Sequence, residues 1–175
     1  MSFNFTFTTL ENRNQLRNLV DFMASQNLDY PHYDEWLQKT ESQLETGEKE
    51  AILAFSEGKL AGDLVHQVCR DNGLGIIKEI KNLRIHLDVR ERYFASFMLR
   101  QLYAECGDRY KGLLVDIRAN QKQTQDFFIS QGFIPLINIP LYEKNIDEVV
   151  MFKPLVKESE ILRSKIKKII QARSF

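Results

Sequence analysis

The stretch Lys81-Asn-Leu-Arg-Ile-His-Leu-Asp-Val-Arg-Glu-Arg-Tyr-Phe-Ala-Ser-Phe-Met-Leu99 decides the reading of this chain. Leu83, Ile85 and Leu87 alternate with polar residues, the period of a strand with one buried face. A short charged loop follows and runs without a break into a helix. A strand feeding a helix N-terminus makes an anion site, because the first helical turn carries unpaired N–H groups and the positive end of the helix dipole.

Downstream, Gly112-Leu-Leu-Val-Asp-Ile-Arg118 reads as a strand, Asn120 to Gln131 as a helix, and Gly132-Phe133 as its stop. Two motifs therefore stand in order, Arg90-Glu-Arg-Tyr-Phe-Ala95 after the first strand and Phe128-Ile-Ser-Gln-Gly-Phe133 at the end of the second helix. Together they resemble the acyl-CoA-binding core of the GNAT N-acetyltransferase superfamily. There, a loop of pattern R-x-x-G-x-G/A holds the pyrophosphate, and a later helix ends in F/Y-x-x-x-G-F. Ala95 is a variant the family allows. Tyr93 stands at the first glycine and Phe128 stands where many members carry a tyrosine, and both depart from the pattern.

The rest of the chain supplies a matching order of elements. Phe3, Phe5 and Phe7 alternate as in a strand, and Thr9 is a candidate N-cap for a helix bearing Leu10, Leu16, Leu19, Val20 and Met23. Asn27-Leu-Asp-Tyr-Pro31 breaks that helix, and a second spans about Tyr33 to Glu45, ending near Gly47. Strand-like Glu50 to Phe55 and Leu60 to Val68 flank a turn at Ser56 to Lys59. Asp71-Asn-Gly73 then opens a long strand around Ile76 to Leu87. Ile134 to Leu141 and Val149 to Leu155 read as closing strands. The expected fold is α+β, a mixed, mostly antiparallel sheet with helices on both faces, and that is the order the GNAT fold uses. The expected division is a GNAT-like domain over 1–155 and a basic amphipathic helix over 156–175.

The 175 residues suffice for one domain with a real core, and 43% hydrophobic with 27% charged residues is ordinary globular composition. Lys plus Arg equals Asp plus Glu at 24 each, so no global field points to nucleic acid or a membrane. The start lacks the basic and apolar regions of a signal peptide, and no apolar run approaches a bilayer span. Cys69 and Cys106 form no metal spacing and no disulfide framework, and they read as two reduced thiols of a cytoplasmic protein. No metal is expected.

The resemblance implies site residues by position. Leu83, Ile85 and His86 would lie along the pantetheine arm of acetyl-CoA, the implied co-substrate. Arg90, Glu91, Arg92, Tyr93, Phe94, Ala95 and Ser96 would surround its pyrophosphate. The Tyr93 ring either swings outward beside the cofactor or plugs the site. His86 reads better as a strand-end residue than as a catalytic one. Glu79 lies six residues before Ile85 on the same face of the strand, where the histone-type branch of the superfamily carries its base. It also reads as a charged residue between Ile77 and Ile80. Asn120 matches an asparagine many members have at this helix start, and it is equally a good N-cap. Phe128 cannot donate a proton to the CoA sulfur. Either the thiolate leaves unaided, or Tyr142, Tyr30 or Tyr33 substitutes, or the ring is core packing beside Phe127 and Phe133.

Asp29 to Trp36 is aromatic and acidic, suiting either a basic acceptor or the packing of a helix pair. Val156 to Phe175 carries Ile161, Leu162, Ile166, Ile169 and Ile170 at helical spacing, with six basic residues against two acidic ones. Docking of its apolar face on this domain or on a partner chain is favoured over nucleic acid or a lipid surface, and a homodimer stays open. The function implied by the resemblance is transfer of an acetyl group from acetyl-CoA to a primary amine, on a small molecule or a peptide. The alternative is a GNAT-fold binding or regulatory protein with a degraded cofactor site.

Overall fold

The computed structural model describes residues 4–26, 30–71, 73–90, 93–157 and 160–173. Among these, the elements run β1 (Phe5–Thr9), α1 (Arg13–Ser25), α2 (Tyr33–Glu45), β2 (Lys49–Ser56), β3 (Lys59–Val68) and β4 (Ile77–Ile85). A 3-10 turn (Leu87–Val89), α3 (Phe94–Cys106), β5 (Gly112–Arg118), α4 (Lys122–Ser130), β6 (Ile134–Glu143), β7 (Ile146–Pro154) and α5 (Glu160–Gln171) complete the chain. The strand order is β1-β2-β3-β4-β5-β7-β6. The β4–β5 ladder is parallel, while the β1–β2, β2–β3, β5–β7 and β6–β7 ladders are antiparallel, so the sheet is mixed and mostly antiparallel. The parallel ladder covers only Ile77–Ile80 against Gly112–Val115, although β4 continues to Ile85 and β5 to Arg118. No helix among the described residues is long and apolar enough to cross a membrane.

Two compact units divide the chain, one from residues 1–67 and 81–105, the other from 68–80 and 106–175. In the first, Leu16, Leu19 and Met23 of α1 and Leu37 and Leu44 of α2 bury against Ala51, Leu53 and Val65. Those strand positions share one face by period two. On the other face of β3 lies Gly62, where a Cβ would meet the Arg84 carbonyl at 2.8 Å and Ile85 Cδ1 at 2.7 Å. Only glycine lets the end of β4 come that close. Met98 of α3 lies 3.4 Å from the same point, so α3 covers this second face. Helices therefore sit on both faces of the unit, as expected.

The start of α1 differs from the expectation. Thr9 is the last residue of β1, paired with Ile52, and cannot cap a helix. Asn12 is the N-cap, within a reciprocal capping box in which its side chain accepts from Gln15 N–H and Gln15 accepts from Asn12 N–H. Leu10 thus precedes the helix. In the aromatic segment, Tyr33 donates to the Met23 carbonyl at 2.9 Å and stacks on Trp36, whose ring faces Lys49 Nζ at 4.9 Å. These two rings pack the helix pair. Asp29, like Phe3 and Asn72, lies outside the described residues.

In the second unit, Ile77, Leu114, Val150 and Phe152 of the strands bury together with Ile166 and Ile170 of α5. The C-terminal helix therefore docks its apolar face on its own chain. Lys165 Nζ adds a bond to the Gly73 carbonyl at 3.0 Å.

Candidate functional site

The first unit carries the strand end, the loop and the N-terminus of α3. Leu83 and Ile85 are half-buried at the end of β4. His86 tops the 3-10 turn, its Nδ1 accepting from Asp88 N–H at 3.3 Å while its own N–H binds the Ala61 carbonyl. That is a capping role. Arg90 is exposed and donates from Nε to the Ile85 carbonyl at 3.3 Å, which holds its guanidinium beside the strand end. Glu91 and Arg92 lie outside the described residues.

Tyr93 adopts φ +64, the left-handed region that L side chains rarely enter, and its side chain is 75% exposed. The position has a backbone that glycine enters freely, and the tyrosine bears the strain. Phe94 anchors the other side, buried edge-on against Phe5 at 4.7 Å and beside Phe7 at 5.6 Å. Phe97 N–H closes the first helical bond on the Tyr93 carbonyl. The N–H groups of Phe94, Ala95 and Ser96 precede that bond and have no acceptor within the helix.

Behind this strand end, on the face covered by α1 and α2, the sequence reading missed a buried polar pair. Asp63 is fully buried, and Asn82 Nδ2 donates to its Oδ2 at 2.7 Å, while Oδ1 has no partner. Burial pushes its carboxyl up to about 7, against the hydrogen bond from Asn82 and the charge of Arg84. A carboxyl raised in the folded state stabilises below its unfolded value near 4, and that contribution fades as pH rises to about 7. Asp63→Asn removes the charge and should abolish this decline, on the order of 3 kcal/mol across the window. Melting temperatures at pH 5 and pH 8 check it: the variant should gain on the wild type at pH 8, and parallel profiles would refute the assignment.

The second unit carries Glu79, Asn120 and Phe128. Glu79 is buried, and its Oε1 accepts from Arg173 Nη2 at 2.8 Å and from the Cys69 thiol at 3.4 Å. Arg173 also pairs with Asp71. Burial, and then the Glu79 carboxylate, push the Cys69 thiol up to about 12, so it stays a donor. The ligand atoms of Cys69, Asp71 and Glu79 lie within 4.8 Å of one another, close enough for a cation, and the Arg173 guanidinium supplies the positive charge there. A small cleft of about 10 Å³, room for about one water molecule, is walled by Glu79, Leu114, Asp116, Leu141, Ile170 and Arg173, among others. Tyr142 donates to Asp116 Oδ2 at 2.7 Å, which sets a phenol against this cleft's wall. Of the candidate donors, Tyr33 is committed to a backbone carbonyl and Tyr142 to a carboxylate.

Asn120 is exposed, just past β5, and it is not the cap: α4 begins at Lys122 with Gln121 as N-cap. The chain turns at Asn120, whose carbonyl accepts from Lys122 N–H. Gln125 ties α4 to the strand end through the Arg118 and Ala119 carbonyls. At the other end, Gly132 sits at φ +86, with Phe133 N–H on the Phe128 carbonyl and Gly132 N–H on the Ile129 carbonyl. This is a Schellman cap, which brings the third residue from the helix end against the second residue beyond it. Those residues are Phe128 and Phe133, whose rings meet edge-on at 5.0 Å. Phe128 also meets Phe127 at 5.3 Å and is 2% exposed. The ring is core packing.

No family model matches this chain, and no curated protein does. Solved structures do. The ribosomal-protein-S18-alanine N-acetyltransferase of Escherichia coli is 17% identical, with a TM-score of 0.71, and the match covers 90% of this chain and 97% of that one. An acetyltransferase of the GNAT family from Streptococcus pneumoniae is 16% identical, with a TM-score of 0.66, over 85% and 99% of the two chains. An aminoglycoside 6'-N-acetyltransferase complexed with coenzyme A is 12% identical, with a TM-score of 0.67, over 89% and 99%. These likenesses extend over 85–90% of this chain, and this chain has the GNAT fold.

Proposed function

We propose that this protein is an acetyl-CoA-dependent N-acetyltransferase. The observation that carries the reading is the loop before α3. Tyr93 holds the left-handed backbone of a glycine there, and the N–H groups of Phe94, Ala95 and Ser96 lead the helix. This geometry fits a pyrophosphate, because helix N-terminal amides and dipole favour an anion and need no particular side chains. Arg90 adds a guanidinium beside the strand end. Leu83 and Ile85 would offer main-chain groups to the pantetheine arm.

Bound acetyl-CoA would supply an activated acetyl group. The acceptor amine forms a C–N bond as the C–S bond breaks, CoA leaves as the thiolate, and the amine gives up one proton. Glu79 is the base in this reading. It lies four residues before Leu83 on the same strand. Its burial shields the carboxylate from bulk water, beside the Arg173 guanidinium and the Cys69 thiol. The acceptor is a primary amine of a small molecule or a peptide, and the carboxylates of Glu79 and Asp116 suit a cationic one.

Isothermal calorimetry with acetyl-CoA tests the reading. Binding should be micromolar or tighter, and Arg90→Ala should weaken it by roughly tenfold, the worth of one charge-assisted contact to phosphate. Absence of heat, and of any thermal shift at millimolar acetyl-CoA, would leave a GNAT-fold binding protein with a degraded cofactor site.

A further inference from the structure

Arg173 is the residue that the reading above does not use, and it occupies the group that reading needs most. It follows the last residue of α5, Gln171, in a turn. Its Nη2 donates to Glu79 Oε1 at 2.8 Å and to Asp71 Oδ2, and lies 3.6 Å from Cys69 Sγ. With the Cys69 thiol also directed at Glu79 Oε1, that oxygen is engaged twice. The guanidinium is also part of the wall of the cleft that Glu79 and Asp116 share.

We propose that the end of α5 is an inhibitory latch: the Arg173 guanidinium sits on the Glu79 carboxylate as a tethered cation, and turnover requires its departure. The proposal rests on Glu79 serving as the base. Arg173 and Cys69 both donate to Oε1 and so use the two lone pairs of that oxygen, and an amine approaching Oε1 must displace the guanidinium. The competing chemistry is cationic, because the seat is two carboxylates facing one positive charge.

The geometry permits release without unfolding. Ile166 and Ile170 keep α5 buried in the second unit, and Lys165 fastens it to the Gly73 carbonyl. Arg173 lies beyond these anchors, its side chain 31% exposed against 28% for Asp71 and 8% for Glu79, so water reaches the pair from the guanidinium side. A pair open to water on one side is weakened by salt and by competing cations.

The experiment compares wild type, Arg173→Ala and Arg173→Lys by CoA thiol release from acetyl-CoA with butylamine as acceptor. Acetyl-CoA affinity is measured in parallel by calorimetry. Arg173→Ala should raise turnover by roughly five- to tenfold with unchanged acetyl-CoA affinity. Arg173→Lys, which keeps the charge but loses the planar fork, should fall between the two. Turnover of the wild type should rise with ionic strength and that of Arg173→Ala should not, a difference a merely structural arginine would not produce. The gain should also vanish when Glu79→Gln is added. Acetyl-CoA binding without any gain in Arg173→Ala overturns the latch and leaves the acetyltransferase reading standing. Absence of acetyl-CoA binding in every variant overturns both.

Discussion

Glu79→Gln should depress CoA thiol release from acetyl-CoA by roughly 100- to 10,000-fold at neutral pH, the range a positioned general base contributes. Acetyl-CoA affinity should stay nearly unchanged, because the proposed phosphate contacts come from the loop and α3, and Glu79 faces Arg173 and Cys69 instead. Glutamine keeps the shape and an acceptor oxygen, so Arg173 retains a partner there as well as Asp71. Stability should therefore change by about 1 kcal/mol, the usual worth of a partly exposed ion pair. A loss of turnover of only a few-fold would give Glu79 a different role, as the partner that fastens α5 to the hairpin between Cys69 and Ile77. The same variant thus separates chemistry from docking.

Most of the fold was legible because its elements announce themselves locally. β5 follows from Gly112 to Arg118 and α2 from Tyr33 to Glu45 with the bounds expected, since each pairs a clear periodicity with clear stops. The start of α1 was misplaced although its capping box, Asn12 with Gln15, stands in the sequence; Thr9 is an equally good cap by residue type and only the β1–β2 pairing excludes it. Asn120 was a plausible cap for the same reason, and the turn after β5 moves the cap to Gln121. Glu79 could be singled out by strand period, but Arg173 could not be joined to it, because contacts across 94 residues leave no local signal. One hint was present. Arg173 continues the helical stripe of Leu162, Ile166 and Ile170, and a lone arginine on an apolar face needs a buried carboxylate to meet it. Asp63 was hidden because β3 is buried on both faces, so alternation there cannot distinguish an inward polar residue from an outward one.

Phe128→Ala should lower stability by about 3–5 kcal/mol, the cost of removing a buried aromatic ring and leaving a cavity. In a chain of this size that corresponds to a fall in melting temperature of roughly 10 °C or more. The loss should be large because Phe128 serves two structures at once. Its ring meets Phe127 within α4 and Phe133 beyond the Schellman cap, and alanine loses both contacts while keeping the backbone bond from Phe133 N–H. Phe128→Tyr separates this packing role from a catalytic one. A hydroxyl placed at a position 2% exposed needs a buried partner, and without one it costs about 1–3 kcal/mol. The tyrosine variant should therefore melt lower than wild type, bind acetyl-CoA normally and show no gain in turnover. A rise in turnover without loss of stability would mean that the new phenol reaches the departing sulfur, and that the ring lines the cofactor instead of the core. The Gly132 backbone offers an independent check. At φ +86, and with Lys153 Nζ 2.7 Å from where a Cβ would stand, the αL cap admits no larger residue without strain. The F-x-x-x-G-F spacing is thus what a Schellman cap with a ring-to-ring contact requires, and the motif at this end of α4 is explained by folding before any chemistry is asked of it.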